Sequence, residues 1–217
     1  MAFKKRKFEV IVMEINTEGK TAKEMYKLLT GSIAPRPIAL VSTQDKDGVL
    51  NVAPFSFFTV VTSAPPTVMF SIGELNERKK DTLQNIEDNP EFVINIVNVD
   101  LGEAVNNAAA NFKPDVSEFE EVNMTPVPAK TIDAYAVKES PIHLECVLDR
   151  IIKVGKGFMV LAQVKHFVID DALYLGNYKI DFQKLNPIVR FAGSKYGEIG
   201  NIISLERIVN HDKTLQK

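Results

Sequence analysis

Pro35-Arg36-Pro37-Ile38-Ala39-Leu40-Val41-Ser42-Thr43, the turn Gln44-Asp45-Lys46-Asp47-Gly48, and Asn51-Val52-Ala53-Pro54-Phe55-Ser56-Phe57-Phe58 decide how this chain folds. Two prolines hold the backbone extended ahead of Ile38, and Ile38–Thr43 is an apolar run of strand length. The five turn residues then reverse the chain, and Asn51–Phe58 resumes as a second extended element, so the pair reads as a hairpin. Pro54 cannot donate to a ladder, so this second strand must bulge or run along an edge.

Upstream, Thr21–Leu29 reads as a helix capped by Thr21, with Met25, Leu28 and Leu29 on one face and Gly31 as its stop. Downstream, Ala64-Pro65-Pro66 leads into a third strand, Thr67–Ile72. The segment Lys80–Ile86 predicts a second helix, with Asp81 as cap, Gln84 as capping-box partner, and Asn89-Pro90 as terminator. Phe92–Val97 is apolar on both faces, as a doubly buried strand requires. A short helix over Leu101–Ala110 comes next. Residues 111–140 lose all periodicity and read as a long ordered loop carrying Phe112, Phe119 and Tyr135. Ile142–Val154 and Phe158–Ile169 flank Gly155-Lys156-Gly157 as a long hairpin, and a last helix is expected near Ile202–Val209. Strands close in sequence and joined by turns predict a mainly antiparallel β-barrel with a few peripheral helices. No linker divides it, so one domain over residues 1–217 is expected.

Composition narrows the function classes. Lys+Arg 26 against Asp+Glu 28 gives a net charge of -2, which offers no global field for nucleic acid. A single cysteine excludes an internal disulfide framework and cysteine-pair zinc sites, and it fits a reducing compartment. The basic run Lys4-Lys5-Arg6-Lys7 resembles the start of a secretory signal, but Glu9 and Glu14 interrupt the apolar stretch a signal would need next. No run approaches the ~18 apolar residues that span a bilayer. A cytoplasmic protein without membrane contact is expected.

Self-contained catalytic sets are absent from the sequence. His143, His166 and His211 lack metal-ligand spacing, and Cys146 alternates with Leu144 and Leu148 as a small core residue would. Gly193-Ser194-Lys195-Tyr196-Gly197 has its serine one place too early for a nucleophile elbow. Gly155-Lys156-Gly157 is no phosphate loop. No catalytic acid, base or metal ligand is therefore assigned.

Two segments stand out. Arg78, Lys79 and Lys80 precede a helix N-terminus whose first turn holds Thr82, a seat suited to a phosphate, with Ser71 at the end of the preceding strand. An ordinary capped helix with a solvated basic approach is the alternative. In Asn51–Thr59, backbone freed by Pro54 can hydrogen-bond a flat heteroaromatic ring that phenylalanines wall. A distorted strand over a Phe-rich core is the alternative there.

In order along the chain, these residues resemble the flavin-reductase-like, FMN-binding split-barrel family. The resemblance runs through Pro35–Thr43, Asp47-Gly48, Asn51–Phe58, Pro65-Pro66, Phe70–Gly73 and Lys80–Ile86. It resumes at Glu139-Ser140-Pro141, Leu144-Glu145-Cys146 and Val189–Tyr196, so it covers about residues 30–197. It implies a six-stranded antiparallel split barrel of Greek-key type, a homodimer, and FMN near the subunit interface. It also implies that Asn51, Ala53, Pro54, Phe55, Ser56 and Phe57 line the isoalloxazine and ribityl. Ser71, Lys80, Asp81 and Thr82 would surround the phosphate, with Arg36, Thr43, Ser42 and Arg190 nearby. FAD is compatible, since it presents the same ring and first phosphate.

The activity so implied is an FMN-dependent oxidoreductase: a flavin reductase using NAD(P)H, with hydride transfer at flavin N5 and an oxygenase or other acceptor downstream. NADH and NADPH stay open, because no ribose-reading acid or 2′-phosphate-binding arginine can be placed. The flavin supplies the chemistry, which accounts for the missing triad. Residues 111–140 would form a lid over the ring. The alternatives are a flavoredoxin-like electron carrier or FMN-binding module without turnover, and a barrel that has lost flavin and serves as an interaction module.

Overall fold

A computed structural model describes residues 12–74, 78–110, 112 and 116–206. The first element is helix α1 (Ala22–Ser32), opened by a full capping box. Glu24 N–H donates to Thr21 Oγ1 at 3.3 Å, and Thr21 N–H donates to the Glu24 carboxylate at 2.8 Å. The helix runs through Gly31 to Ser32 rather than stopping there, and Leu28 and Leu29 lie exposed instead of packed.

Strands β1 (Ala39–Gln44), β2 (Leu50–Phe55), β3 (Phe58–Ser63) and β4 (Pro66–Gly73) come next, then α2 (Asp81–Asp88) and β5 (Glu91–Ile96). The expected single strand Asn51–Phe58 is broken. It ends at Phe55, bends over Ser56 and Phe57, and continues as β3, which the sequence reading missed. The helix expected over 101–110 is a 3-10 turn (Val99–Leu101) leading into α3 (Gly102–Asn107). The supposed loop 111–140 contains α4 (Glu118–Glu121), β6 (Pro126–Pro128) and β7 (Tyr135–Val137).

The long hairpin β8 (Ile142–Val154) and β9 (Gly157–Ile169) turns at Gly155, whose φ of +57° is the left-handed geometry glycine favours. After it come α5 (Phe182–Leu185) and a small ribbon of β10 (Val189–Arg190) with β11 (Tyr196–Gly197). Residues 201–206 have no regular structure, so the helix expected near 202–209 does not begin there; its remainder lies outside the described residues. No described helix is long and apolar enough to cross a membrane.

The main sheet has seven antiparallel strands in the order β2-β1-β5-β8-β9-β4-β3. Its two end strands are consecutive in the chain, separated only by Ser56 and Phe57, so the sheet closes on itself through one bent strand. Counted as one strand, β2–β3 makes the six-stranded split barrel that the resemblance implied. Ser71 N–H donates to the Phe57 carbonyl at 2.9 Å and fastens the bend to β4. Among the described residues β1 is the only ladder partner of β2, the edge position in which Pro54 is tolerated.

Alternation along the strands sorts two cores. Ala39, Val41, Phe55, Phe70, Phe92 and Ile94 point into the barrel, where Phe55–Phe70 and Phe70–Phe92 ring centroids stand 5.3 and 5.9 Å apart. Leu83 and Ile86 of α2 close one end of this core. Leu40, Val52 and Val97 face outward and pack with Val105, Phe119 and Met124, so residues 118–137 cover the barrel wall.

Polar stitches hold that cover in place. Asn95, fully buried, donates to Leu40 O and Ser42 Oγ at 3.0 Å and accepts from Val137 N–H at 2.8 Å. The buried Glu145 carboxylate accepts from Lys130 and Thr131 N–H. An ordered cover thus stands where a loop was expected, because Phe119, Val122 and Met124 carry apolar contacts whose spacing has no single period.

Arg36 locks the approach to β1. It is buried, and its Nη1 donates to the Thr30 and Ile33 carbonyls (2.8 and 2.9 Å) while Nη2 donates to Phe191 O (3.1 Å). Its main chain bridges Arg190 in both directions. No described carboxylate forms an ion pair with it. Three carbonyls from two distant segments therefore depend on one guanidinium. Arg36→Ala should cost about 3 kcal/mol or more of unfolding free energy in urea titration, since buried acceptors are stranded. A loss below about 1 kcal/mol would show that water replaces it.

Candidate functional site

The bent strand carries two adjoining recesses. The first is small, about 100 Å³, and lies between Asn51, Ala53 and Pro54 of β2 and the start of α2, with Ala109 and Glu118 opposite. Arg78, Lys80, Asp81 and Thr82 supply its polar wall. Lys80 is the N-cap of α2, extended at φ -72° and ψ 152°, and no side chain caps the helix. The expected capping box is thus replaced. Asp81 is the first helical residue and pairs with Arg78 at 3.6 Å, while Gln84 reaches forward to Asp88. An uncapped helix start leaves N–H groups and a partial positive charge facing the recess, which suits an anion.

Beneath this recess lies a buried polar network. Thr82 Oγ1 donates to Asn51 Oδ1 at 3.0 Å, and Thr43 Oγ1 donates to the same oxygen at 3.3 Å. Asn85 Nδ2 donates to Thr43 Oγ1 at 3.1 Å, and Asn51 Nδ2 donates to Glu118 Oε1 at 2.7 Å. All of these groups are buried, and no described buried side-chain polar atom lacks a partner. Thr43 therefore supports the recess from behind rather than lining it. Burial, with the charge of Asp81 adding, pushes the Glu118 carboxyl up to about 7, against hydrogen bonds from Asn51 and nearby backbone N–H groups.

The second recess is larger, about 460 Å³, and mostly apolar. Ser56, Phe57, Phe58, Met69, Ser71 and Arg36 border it, together with Leu29 of α1 and Ile33, the residue after that helix. Its volume falls in the range of small-molecule sites, and the first recess is below that range. The Arg36 guanidinium stands 5.8 Å from the Phe57 ring centroid, a cation–π distance. Only Phe55 separates Pro54 of the first recess from Ser56 of the second, about 7 Å of strand at ~3.3 Å per residue.

The residues named from sequence therefore fall into three groups. Asn51, Ala53, Pro54, Lys80, Asp81 and Thr82 meet at the first recess. Arg36, Ser56, Phe57 and Ser71 meet at the second, so Ser71 does not share a recess with Lys80 and Thr82. Phe55 points into the barrel core and Thr43 into the polar network. Ser42 is also turned away, donating to Tyr135 O at 2.6 Å. Arg190 stacks on Tyr196 at 4.3 Å.

Sequence reading missed Glu118. It lies among several acidic residues in a stretch without periodicity, and only its contact with Asn51 distinguishes it. The other nucleophile and ligand candidates lie elsewhere. Cys146 is buried inside the barrel, where burial pushes its thiol up to about 12. His143 sits 2.9 Å from Val137 O and is lowered by burial; His211 lies outside the described residues.

Comparison with known proteins places this arrangement. A family model described as the flavin reductase like domain matches residues 31–186. An uncharacterised protein of Halalkalibacterium halodurans is 38% identical over 203 residues, covering 90% of this chain and 96% of that protein. Among solved structures, nitrilotriacetate monooxygenase component B from Bacillus cereus superposes with a TM-score of 0.88 at 37% identity, over 90% of this chain and 100% of that one. The 2-nitrobenzoate 2-nitroreductase NbaA of Pseudomonas fluorescens superposes with a TM-score of 0.79 at 30% identity, over 91% and 98%.

Proposed function

This chain belongs to the flavin-reductase-like domain family, and from that premise we propose that it is an FMN-dependent oxidoreductase that takes electrons from NAD(P)H. The observation that carries the proposal is the pairing, on one bent strand, of a polar recess holding Arg78 and Lys80 at an uncapped helix start with a larger apolar recess. The residues present fit a flavin mononucleotide. The first recess has the charge and size for its phosphate, and the second has the volume and aromatic walls for its ring. Bound FMN would supply the redox chemistry, accepting a hydride at N5.

The chain's own residues bind, orient and shield. Lys80 and Arg78 neutralise the phosphate together with the first N–H groups of α2, and Thr82 stands beside them. Ala53 and Pro54 line the first recess on the side of β2. Phe57, held by Arg36 beneath it and by the Ser71–Phe57 main-chain bond, excludes water from the ring. Of the described residues in 111–140, Phe112 and Glu118 line the phosphate recess and none lines the ring recess. FAD would present the same ring and first phosphate.

A second copy of the chain is the proposed cover for the second recess. Leu29 and Ile33 are exposed at its lining, and Val60 and Val61 are exposed farther along β3. The resemblance of the Bacillus cereus protein, a monooxygenase component, supports an oxygenase as recipient of the reduced flavin.

Purified protein given FMN should show flavin bands near ~375 and ~450 nm that bleach on adding NADH or NADPH. Bands that persist with both donors would favour an electron carrier, and protein that carries no flavin bands after unbound FMN is removed by gel filtration would retire the flavin reading. Lys80→Glu should weaken FMN binding by on the order of 2 kcal/mol, through a lost charge-assisted contact and added repulsion. Unchanged affinity would remove Lys80 from the phosphate site. Light scattering should report about twice 24.2 kDa, and a monomer that binds FMN would exclude the second copy as cover.

A further inference from the structure

Asn51, Asp81 and Glu118 form a thin wall shared by the small recess and a neighbouring one that also contains Asp45, Lys46 and Asp88. Glu118 is 8% exposed, and the one hydrogen bond its carboxyl makes to a described side chain comes from Asn51. Among the described residues the charged groups lining the small recess are four: Arg78 and Lys80 on the cationic side, Asp81 and Glu118 on the anionic side. With Glu118 ionised, two carboxylates cancel the two cations. With Glu118 protonated, one net positive charge remains, and its carboxyl brings an O–H donor to the wall. The state of this one proton decides whether the recess attracts an anion.

We propose that Glu118 is the proton-dependent determinant of anion binding in this recess: protonated, it admits a phosphate monoester and donates to it; ionised, it repels it. The proposal rests on the flavin reading for the identity of the ligand, but not for the charge argument. Each charged neighbour has a set role. Asp81 is held by Arg78 at 3.6 Å, and Lys80 is free to meet the ligand among the described residues. On the other side of the wall, Asp45 accepts from Asp47 and Val49 N–H, Asp88 accepts from Gln84, and Lys46 stands beside them. Of these acidic neighbours, Asp81 is the one whose charge opposes ionisation of Glu118.

The free carboxyl already titrates close to neutrality for reasons of burial. A bound phosphate raises it further, so binding takes up a proton. The sign comes from linkage: a ligand that prefers the protonated form binds best below the free-state pKa and weakens as pH rises above it. The phosphate's own second ionisation, near ~6, is complete over most of this range and acts in the opposite sense.

The test is FMN and riboflavin binding to the full chain, monitored by flavin fluorescence from pH 6.5 to 8.5. The FMN dissociation constant should rise about tenfold per pH unit above neutrality, the limit for one linked proton. Riboflavin, which lacks the phosphate, should change by less than about twofold. Calorimetry of FMN binding at pH 8 in buffers of different ionisation enthalpy should report uptake of close to one proton. Glu118→Gln keeps the acceptor for Asn51 and a donor toward the recess, and it should hold the low-pH affinity across the range.

A pH-independent FMN constant, or a Glu118→Gln variant that tracks the wild type, would overturn the proposal. If neither flavin binds, inorganic phosphate is the second probe. A rise in melting temperature with phosphate at pH 6.5 that vanishes at pH 8.5 and persists in Glu118→Gln would retire the flavin reading and keep Glu118. No such shift, with no flavin binding, would overturn both.

Discussion

Between Phe55 and Phe58 the chain gives up one ladder partner, β1, and takes another, β4. Every closed sheet must place its first and last strands side by side, and here one strand serves as both. The cost of the bend is local. Pro54 has no N–H to lose from the ladder, Ser71 supplies the donor that Phe57 O needs, and Arg36 stands under the Phe57 ring. The same bend sets backbone and side chains apart from the regular ladder on both sides of Phe55. Both recesses open there and not along the straight walls of the barrel.

Most of the barrel was legible because its strands obey simple rules. Thr67–Ile72, Phe92–Val97 and the two arms around Gly155 match observed strands to within one or two residues at most ends. Features that depend on distant partners could not be read. The bend at Ser56–Phe57 arises from β1 and β4 being on opposite sides of a gap, which no local pattern encodes. Residues 118–137 read as an ordered loop without helices or strands because they pack as single apolar anchors, Phe119, Val122 and Met124, with short pieces between them. At the site, the strand residues and the helix start were legible from chemistry and resemblance. Glu118 was not, since its contact with Asn51 spans 67 positions. Ser71 and Thr43 illustrate a further limit: proximity in sequence to a site does not say which side of a strand a hydroxyl takes.

The polar network under α2 explains how one end of an apolar barrel can be wet. Thr82 and Thr43 donate to Asn51 and Asn85 donates to Thr43, an open chain of donors and acceptors, and no described buried side-chain polar atom is left unmatched. Leu83 and Ile86 on the same helix seal the core beside them. One short helix thus presents hydrocarbon to the barrel, hydroxyl and amide groups to β2, and bare N–H groups to the recess. The three demands fall on successive residues, which leaves little freedom in the stretch from Lys80 to Ile86.

The hairpin β8–β9 has a consequence for the order in which the molecule is assembled. It lies between β5 and β4 in the sheet, yet it comes last among the six barrel strands in the chain. Until it emerges from a ribosome, β4 and β5 each have one edge without a partner, and the barrel cannot close. At ~5–20 residues per second, the interval from Ile96 to Ile169 is roughly 4 to 15 s. During that time β1, β2 and β5 can pair among themselves, while the β3–β4 pair keeps an open edge of alternating apolar residues. The nascent chain therefore passes through a half-built sheet whose open edges are those most exposed to mispairing with other chains.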